Sequence, residues 1–219
     1  MVHAVITYLG LASVSIAGIT TVGRSIPQSI RMFRMRTDAG VSQLTWGIAI
    51  ASGISWVIWG VAHSNLPEIL VNGIALIALA VSVTAFLRAG AHPLPMLLVN
   101  FIGIIFDVLL NHVSPGLYSS WTVLLTIAFF YPQAWEALST NSLDGVSLQS
   151  WYVSTVMTTC WFIYGLTIGS IPIAAPSVLS YPAIIVILVR LHRFKREGHR
   201  APSKVLSPDS LQANVPKPS

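Results

Sequence analysis

The chain has 219 residues, 54% of them hydrophobic and only 9% charged, with a net charge of +5 and a mean hydropathy of +0.73. Soluble domains carry about a quarter charged residues, so this composition cannot cover a water-facing surface and implies an all-α integral membrane protein. One cysteine, Cys160, excludes an internal disulfide and a cysteine metal cluster; it is expected as a small core residue.

Spans of about 20 apolar residues are long enough to cross a bilayer. In chain order they are predicted at 4–26, 43–62, 66–87, 94–112, 117–135, 147–168 and 171–190, seven in all. Polar breaks separate them, from "RMFRMRTDAG" after the first to "EALSTNSLDG" after the fifth. The two shortest, at 63–65 and 169–170, are punctuated by Pro67 and Pro172. No secretory signal is expected before Arg24, since the first apolar stretch lacks a basic leader and a small-residue cleavage site. Residues 197–219, rich in Pro and Ser, are expected to be a disordered cytosolic tail.

Basic residues give the orientation. Arg31, Arg34 and Arg36 follow the first span, Arg88 the third, and Arg190, Arg193, Lys195, Arg196 and Arg200 the seventh; the loops on the other side have none. The N-terminus is therefore expected outside and the C-terminus in the cytosol. The positive charge reports topology and gives no reason to invoke nucleic acid. The lysines, at 195, 204 and 217, lie in or beside the tail, which excludes a retinal Schiff base.

An internal duplication lies beneath the spans. "SIPQSIRMFRMRTDAGVSQLTW" at 25–46 returns 105 residues later as "FYPQAWEALSTNSLDGVSLQSW". Without a gap, that offset pairs Pro27-Gln28 with Pro132-Gln133, Gly40-Val41-Ser42 with Gly145-Val146-Ser147, and Trp46, Trp56, Ile58, Gly60 and Pro67 with Trp151, Trp161, Ile163, Gly165 and Pro172. A three-span unit ends on the side opposite its start, so one intervening span keeps the second copy parallel to the first. The expected organisation is a first three-helix repeat at 1–90, a linker helix at 91–114, a second three-helix repeat at 115–196, and the tail. Parallel repeats about an axis along the membrane normal enclose a central path.

The Pro-Gln pairs, with "ISWVIWGVAHSNLPEILVNG" at 54–73 and "CWFIYGLTIGSIPIAAPS" at 160–177, resemble the SWEET and PQ-loop transporter family over nearly all of 5–190. The resemblance implies transport of small sugars. It places Trp56, Asn72, Trp161 and Ser177 at a mid-membrane binding site facing the central path. Indole faces cover sugar C–H faces and a carboxamide serves hydroxyls, which suits that role. The plainer alternatives are core or lipid-facing tryptophans, with Asn72 and Ser177 bonding or packing between helices. Ser177 stands where a second Asn would make the site symmetric.

Pro27 and Pro132 each remove a helical hydrogen bond and leave a carbonyl free, so they are candidate hinges. Gln28 and Gln133 are candidate partners for those carbonyls or for a neighbouring helix. Trp59, His63, Asn65 and Tyr164 are candidate outer-gate residues, against interfacial belt residues as the alternative. Arg24 is a candidate inner gate, unless it snorkels to the cytosolic interface.

Facilitative sugar transport across the plasma membrane leads, with no enzymatic activity, cofactor or metal expected and the lipid bilayer as surroundings. A homo-oligomer is compatible with this reading. The alternatives are a proton-coupled amino-acid carrier and a non-transporting receptor of the same architecture. A proton-coupled carrier needs a titrating group in the pathway. Asp107 is expected as the sole deep carboxylate, on the linker helix and bonded to a neighbour such as Asn111, while Glu68 and Glu136 are expected near span ends.

Overall fold

The computed structural model describes residues 2–200, and among them every regular element is an α-helix. The helices are α1 (Val2–Gly23), α2 (Ser25–Met35), α3 (Gln43–Ala62), α4 (Leu66–Arg88), α5 (Leu94–Val113), α6 (Pro115–Ser139), α7 (Leu148–Thr167) and α8 (Ile171–Arg200). The two short breaks fall where Pro67 and Pro172 predict them, each proline sitting in a helical first turn where no N–H is needed.

Several boundaries differ from the sequence expectation. The first span does not end at residue 26: α1 and α2 run on as one apolar helical stretch, His3–Met35, so Arg31 and Arg34 lie on helix rather than in a loop. Pro27 cannot donate to the Gly23 carbonyl four residues back, and the helix is interrupted just there, between Gly23 and Ser25. Pro132 lies inside α6, which continues through it. α8 extends through Arg200, so residues 197–200 are helical rather than tail; the remainder of the expected tail, 201–219, lies outside the described residues.

Among the described residues five stretches are long and apolar enough to cross a membrane: His3–Met35, Gln43–Ala62, Leu66–Arg88, Leu94–Val113 and Ile171–Glu197. α6 and α7, the expected fifth and sixth spans, are long enough but more polar. Their polarity is turned inward: Tyr118 and Thr122 on α6, and Ser150, Ser154 and Thr158 on α7, are buried along one face. The outside shows the opposite chemistry. Ile19, Ile77, Phe101, Val108 and Ile171 are exposed, whereas Ser55, Thr122 and Ser180 are fully enclosed. An apolar exterior around a polar interior is the arrangement of an integral membrane protein.

Helix contacts repeat at the 105-residue offset. α4 packs on both α2 and α3, and α8 packs on both α6 and α7. Across these groups α1 packs on α7, and α3 on α6. α5 touches α3 and α6 and exposes Leu97, Leu98, Phe101, Ile102 and Ile105 on its other side. The buried apolar side chains form two clusters. One gathers Trp46, Phe86, Phe130, Val146 and Trp151; the other gathers Val14, Trp56, Trp59, Tyr118, Tyr164 and Ile173.

Candidate substrate cavity and its crossed clamps

A central cavity with about 760 Å³ of unfilled space, counting its mouth, draws its lining from both clusters. On α4 the lining residues are Glu68, Asn72, Ala75 and Leu79, a stripe at helical spacing. α8 supplies Ile173, Pro176, Ser177 and Ser180; α3 supplies Ala49, Ser52, Gly53 and Trp56; and α7 supplies Met157, Thr158 and Trp161. All four sequence-predicted binding residues, Trp56, Asn72, Trp161 and Ser177, thus border one space.

Both tryptophans are fixed by matching bonds. The Trp56 indole N–H donates to Thr126 Oγ1 at 2.6 Å, and the Trp161 indole N–H donates to Thr21 Oγ1 at 3.0 Å. Each threonine hydroxyl in turn donates to the carbonyl four residues back, Thr126 to Thr122 and Thr21 to Ala17. Thr21 and Thr126 are themselves 105 residues apart. They were absent from the sequence-derived site, although the offset that paired the tryptophans also pairs them.

Asn72 is less free than a bare binding amide. Its Nδ2 donates to the carbonyl of Glu68 at 3.0 Å and to Glu68 Oε2 at 2.8 Å, leaving Oδ1 as its open polar atom. Glu68 corrects the sequence expectation: although it starts α4, its side chain is buried, 3% exposed, and lines the cavity. Asp107 is buried as expected, but its partners are different. Oδ1 accepts from the Ser55 hydroxyl at 2.6 Å and from the Trp121 indole at 3.0 Å, while Asn111 is exposed. Asp107 Oδ2 has no partner, and the residue does not border the cavity.

At the other end the Pro-Gln glutamines do not serve their own helices. Gln28 Nε2 donates to the carbonyl of Gly145 at 2.6 Å, and the Ser147 N–H donates to Gln28 Oε1 at 2.8 Å. Gln133 makes the reciprocal pair, to the Gly40 carbonyl at 2.7 Å and from the Ser42 N–H at 2.9 Å. Each glutamine therefore holds the Gly-Val-Ser turn of the opposite copy. Gly40 has φ +78°, and a Cβ there would lie 2.6 Å from the Ser142 carbonyl; one on Gly145 would lie 2.8 Å from that of Ala39. Only glycine lets the two turns meet this closely. The serines that follow cap α3 and α7, so one turn serves both the clamp and the helix start.

A second cavity, with about 450 Å³ of unfilled space counting its mouth, lies among these groups, lined by Gln28, Trp46, Gln133 and Trp151. It shares Arg24, Ala49, Leu79 and Phe129 with the central one. The Arg24 guanidinium carbon stands 4.4 Å over the Phe129 ring, again a pair 105 residues apart, and Arg24 Nε has no partner. Away from this wall, Trp59 donates to Ser119 Oγ at 2.9 Å, stacks on His63 at 4.1 Å and meets Trp56 edge-on at 5.3 Å. Tyr164 meets Trp161 edge-on at 5.9 Å. Asn65 acts as the N-cap of α4, accepting from the Glu68 N–H.

Among the described residues no group of three or more His, Cys, Asp or Glu side chains is placed to hold a metal ion. No family model matches the chain, and no curated protein matches it. A 3.7 Å structure of a eukaryotic SWEET transporter is similar, with a TM-score of 0.61 and 13% sequence identity, covering 90% of this chain and 100% of that one. At that identity the likeness is one of fold alone.

Proposed function

We propose that this chain is a facilitative transporter of small sugars across the plasma membrane, working by alternating access of two parallel three-helix repeats joined by α5. The observation that carries this reading is the central cavity, flanked by two tryptophans held through matching Trp–Thr bonds. Two fixed indoles with amide and hydroxyl groups between them suit a hydroxylated ring. In this reading the amino end lies outside, and the Gly-Val-Ser turns and the end of α8 lie in the cytosol, following the arginines.

The Arg24–Phe129 wall between the two cavities is the inner gate, and the Trp59, His63 and Tyr164 layer the outer one. Asn65 contributes to the outer gate by holding the start of α4. The freed carbonyls behind Pro27 and Pro132 make those helices the hinges. Pro27→Ala and Pro132→Ala are expected to slow solute exchange more than they weaken equilibrium binding, because the cavity groups stay in place while the weak points are removed. Paired exchange-rate and calorimetric measurements check this; equal losses in rate and affinity would restrict the prolines to shaping the fold.

The reading is tested by counterflow in proteoliposomes with a panel of labelled sugars and amino acids. Sugar label is expected to accumulate transiently against unlabelled sugar, and exchange of amino acids alone would overturn the assignment. Transport is expected to follow the substrate gradient, to resist protonophores and to survive Asp107→Asn, since that side chain is tied to Ser55 and Trp121 away from the cavity. Uptake driven by an imposed pH gradient and lost in Asp107→Asn would favour the proton-coupled carrier instead.

A further inference from the structure

The polar groups at the Glu68 end of the central cavity are unbalanced. Glu68 offers a carboxylate, with Oε2 taken by the Asn72 amide. That bond orients Asn72 so that its remaining polar atom is the Oδ1 acceptor. Both indole N–H donors are already spent on Thr126 and Thr21, so the tryptophans contribute ring surface, which attracts positive charge. What remains open to a solute is a carboxylate oxygen, an amide oxygen, aromatic rings and the Ser177 hydroxyl on α8, which can accept as well as donate. Among the described residues that line this cavity, Arg24 is the one cationic side chain.

Arg24 is not the counter-ion of Glu68. Along α4 the lining stripe runs from Glu68 to Leu79, eleven residues or roughly 16 Å of helical rise, and Arg24 borders the Leu79 end with its guanidinium over Phe129. Around Glu68 the neighbours are Asn65 at the cap of α4, Asn72 one turn on, Gly60 on α3, and Tyr164 on α7. Among the described residues no basic side chain reaches its carboxylate. The position 105 residues on is Ile173, so the charge belongs to one half only. A buried carboxylate with no cation, facing a solute-sized space inside a membrane protein, is a binding group awaiting its partner.

We propose that the preferred solute carries a protonated amine beside its hydroxyls, an amino sugar rather than a neutral one, with the ammonium seated against Glu68 and Asn72 Oδ1. The ammonium supplies three donors where the cavity supplies acceptors, and the ring lies against the indoles. The inference rests on the cavity being the substrate site of a sugar carrier.

The test is competition in counterflow at neutral pH between a neutral hexose and its 2-amino analogue, in wild type and in Glu68→Gln. The wild type is expected to prefer the amine by about tenfold or more, and Glu68→Gln to bring the ratio of amine to neutral sugar towards one. Wild-type preference for the neutral sugar, or none, overturns the inference and leaves the sugar reading standing. That wild-type comparison does not depend on whether the variant folds. An amine preference that persists in Glu68→Gln overturns the assignment to Glu68. If neither sugar exchanges, a small alkylamine and its matched alcohol are compared by thermal shift. Stabilisation by the amine alone supports the carboxylate site and discards the sugar, and no stabilisation by either discards both.

Discussion

Replacing Trp56 or Asn72 with alanine is expected to abolish measurable solute exchange while the protein still reaches the membrane. Trp56 is 7% exposed, lines the cavity and is held by Thr126, so its loss removes both a platform and the bond that fixes it. Asn72→Ala removes the cavity's amide oxygen and strips Glu68 of its one side-chain donor. Each loss is worth about 1–3 kcal/mol, roughly ten- to a hundredfold in affinity. Trp56→Phe separates the two parts of the tryptophan's role: it keeps an aromatic face without the N–H, and a milder loss is expected. Binding by isothermal titration alongside counterflow makes the comparison. Wild-type exchange by both alanine variants would remove these residues from the site.

The second large effect is expected at the opposite end of the molecule. Gln28→Ala strands the Gly145 carbonyl and the Ser147 N–H, and Gln133→Ala strands those of Gly40 and Ser42. Leaving buried groups of this kind unpaired costs about 2 kcal/mol or more per substitution. For a chain of this size that lowers the unfolding midpoint by roughly 4–8 °C for each glutamine, with the losses nearly adding because the two clamps hold different turns. Thermal unfolding in detergent measures it. A double variant that unfolds at the wild-type temperature would show that the clamps contribute no stability.

The duplication was legible because Pro, Gln and Trp are scarce enough for ten matches at one offset to stand out. It identified the two tryptophans and the two glutamines as counterparts. What the glutamines do was not legible. Their partners are backbone atoms of turns 91 to 119 residues away, and backbone groups leave no mark in a sequence. Thr21 and Thr126 were readable from the same offset, yet threonine is common enough in helices to pass as background. Glu68 was misjudged for a geometric reason. Its place in the first turn of α4 suggested an interfacial acid, whereas the close approach of α3 and α4 turns that position into the cavity. Helix limits failed at Pro27, which interrupts the helix without ending the apolar helical stretch, and where α8 continues past its apolar stretch.

The crossed clamps also bear on assembly. Neither copy of the Pro-Gln segment contains the turn that its own glutamine holds, so a chain carrying one copy would display a glutamine and a turn that only another copy could satisfy. Within this polypeptide the second copy is always at hand. α5 acts as a tether that sets the effective concentration of one half for the other, so their docking is insensitive to how much protein is present. The contact that would be a dimer interface between separate chains is thereby converted into an internal joint, and the two sides become free to diverge. That divergence is visible in the cavity lining, where Asn72 has Ser177 as its counterpart and Glu68 has Ile173.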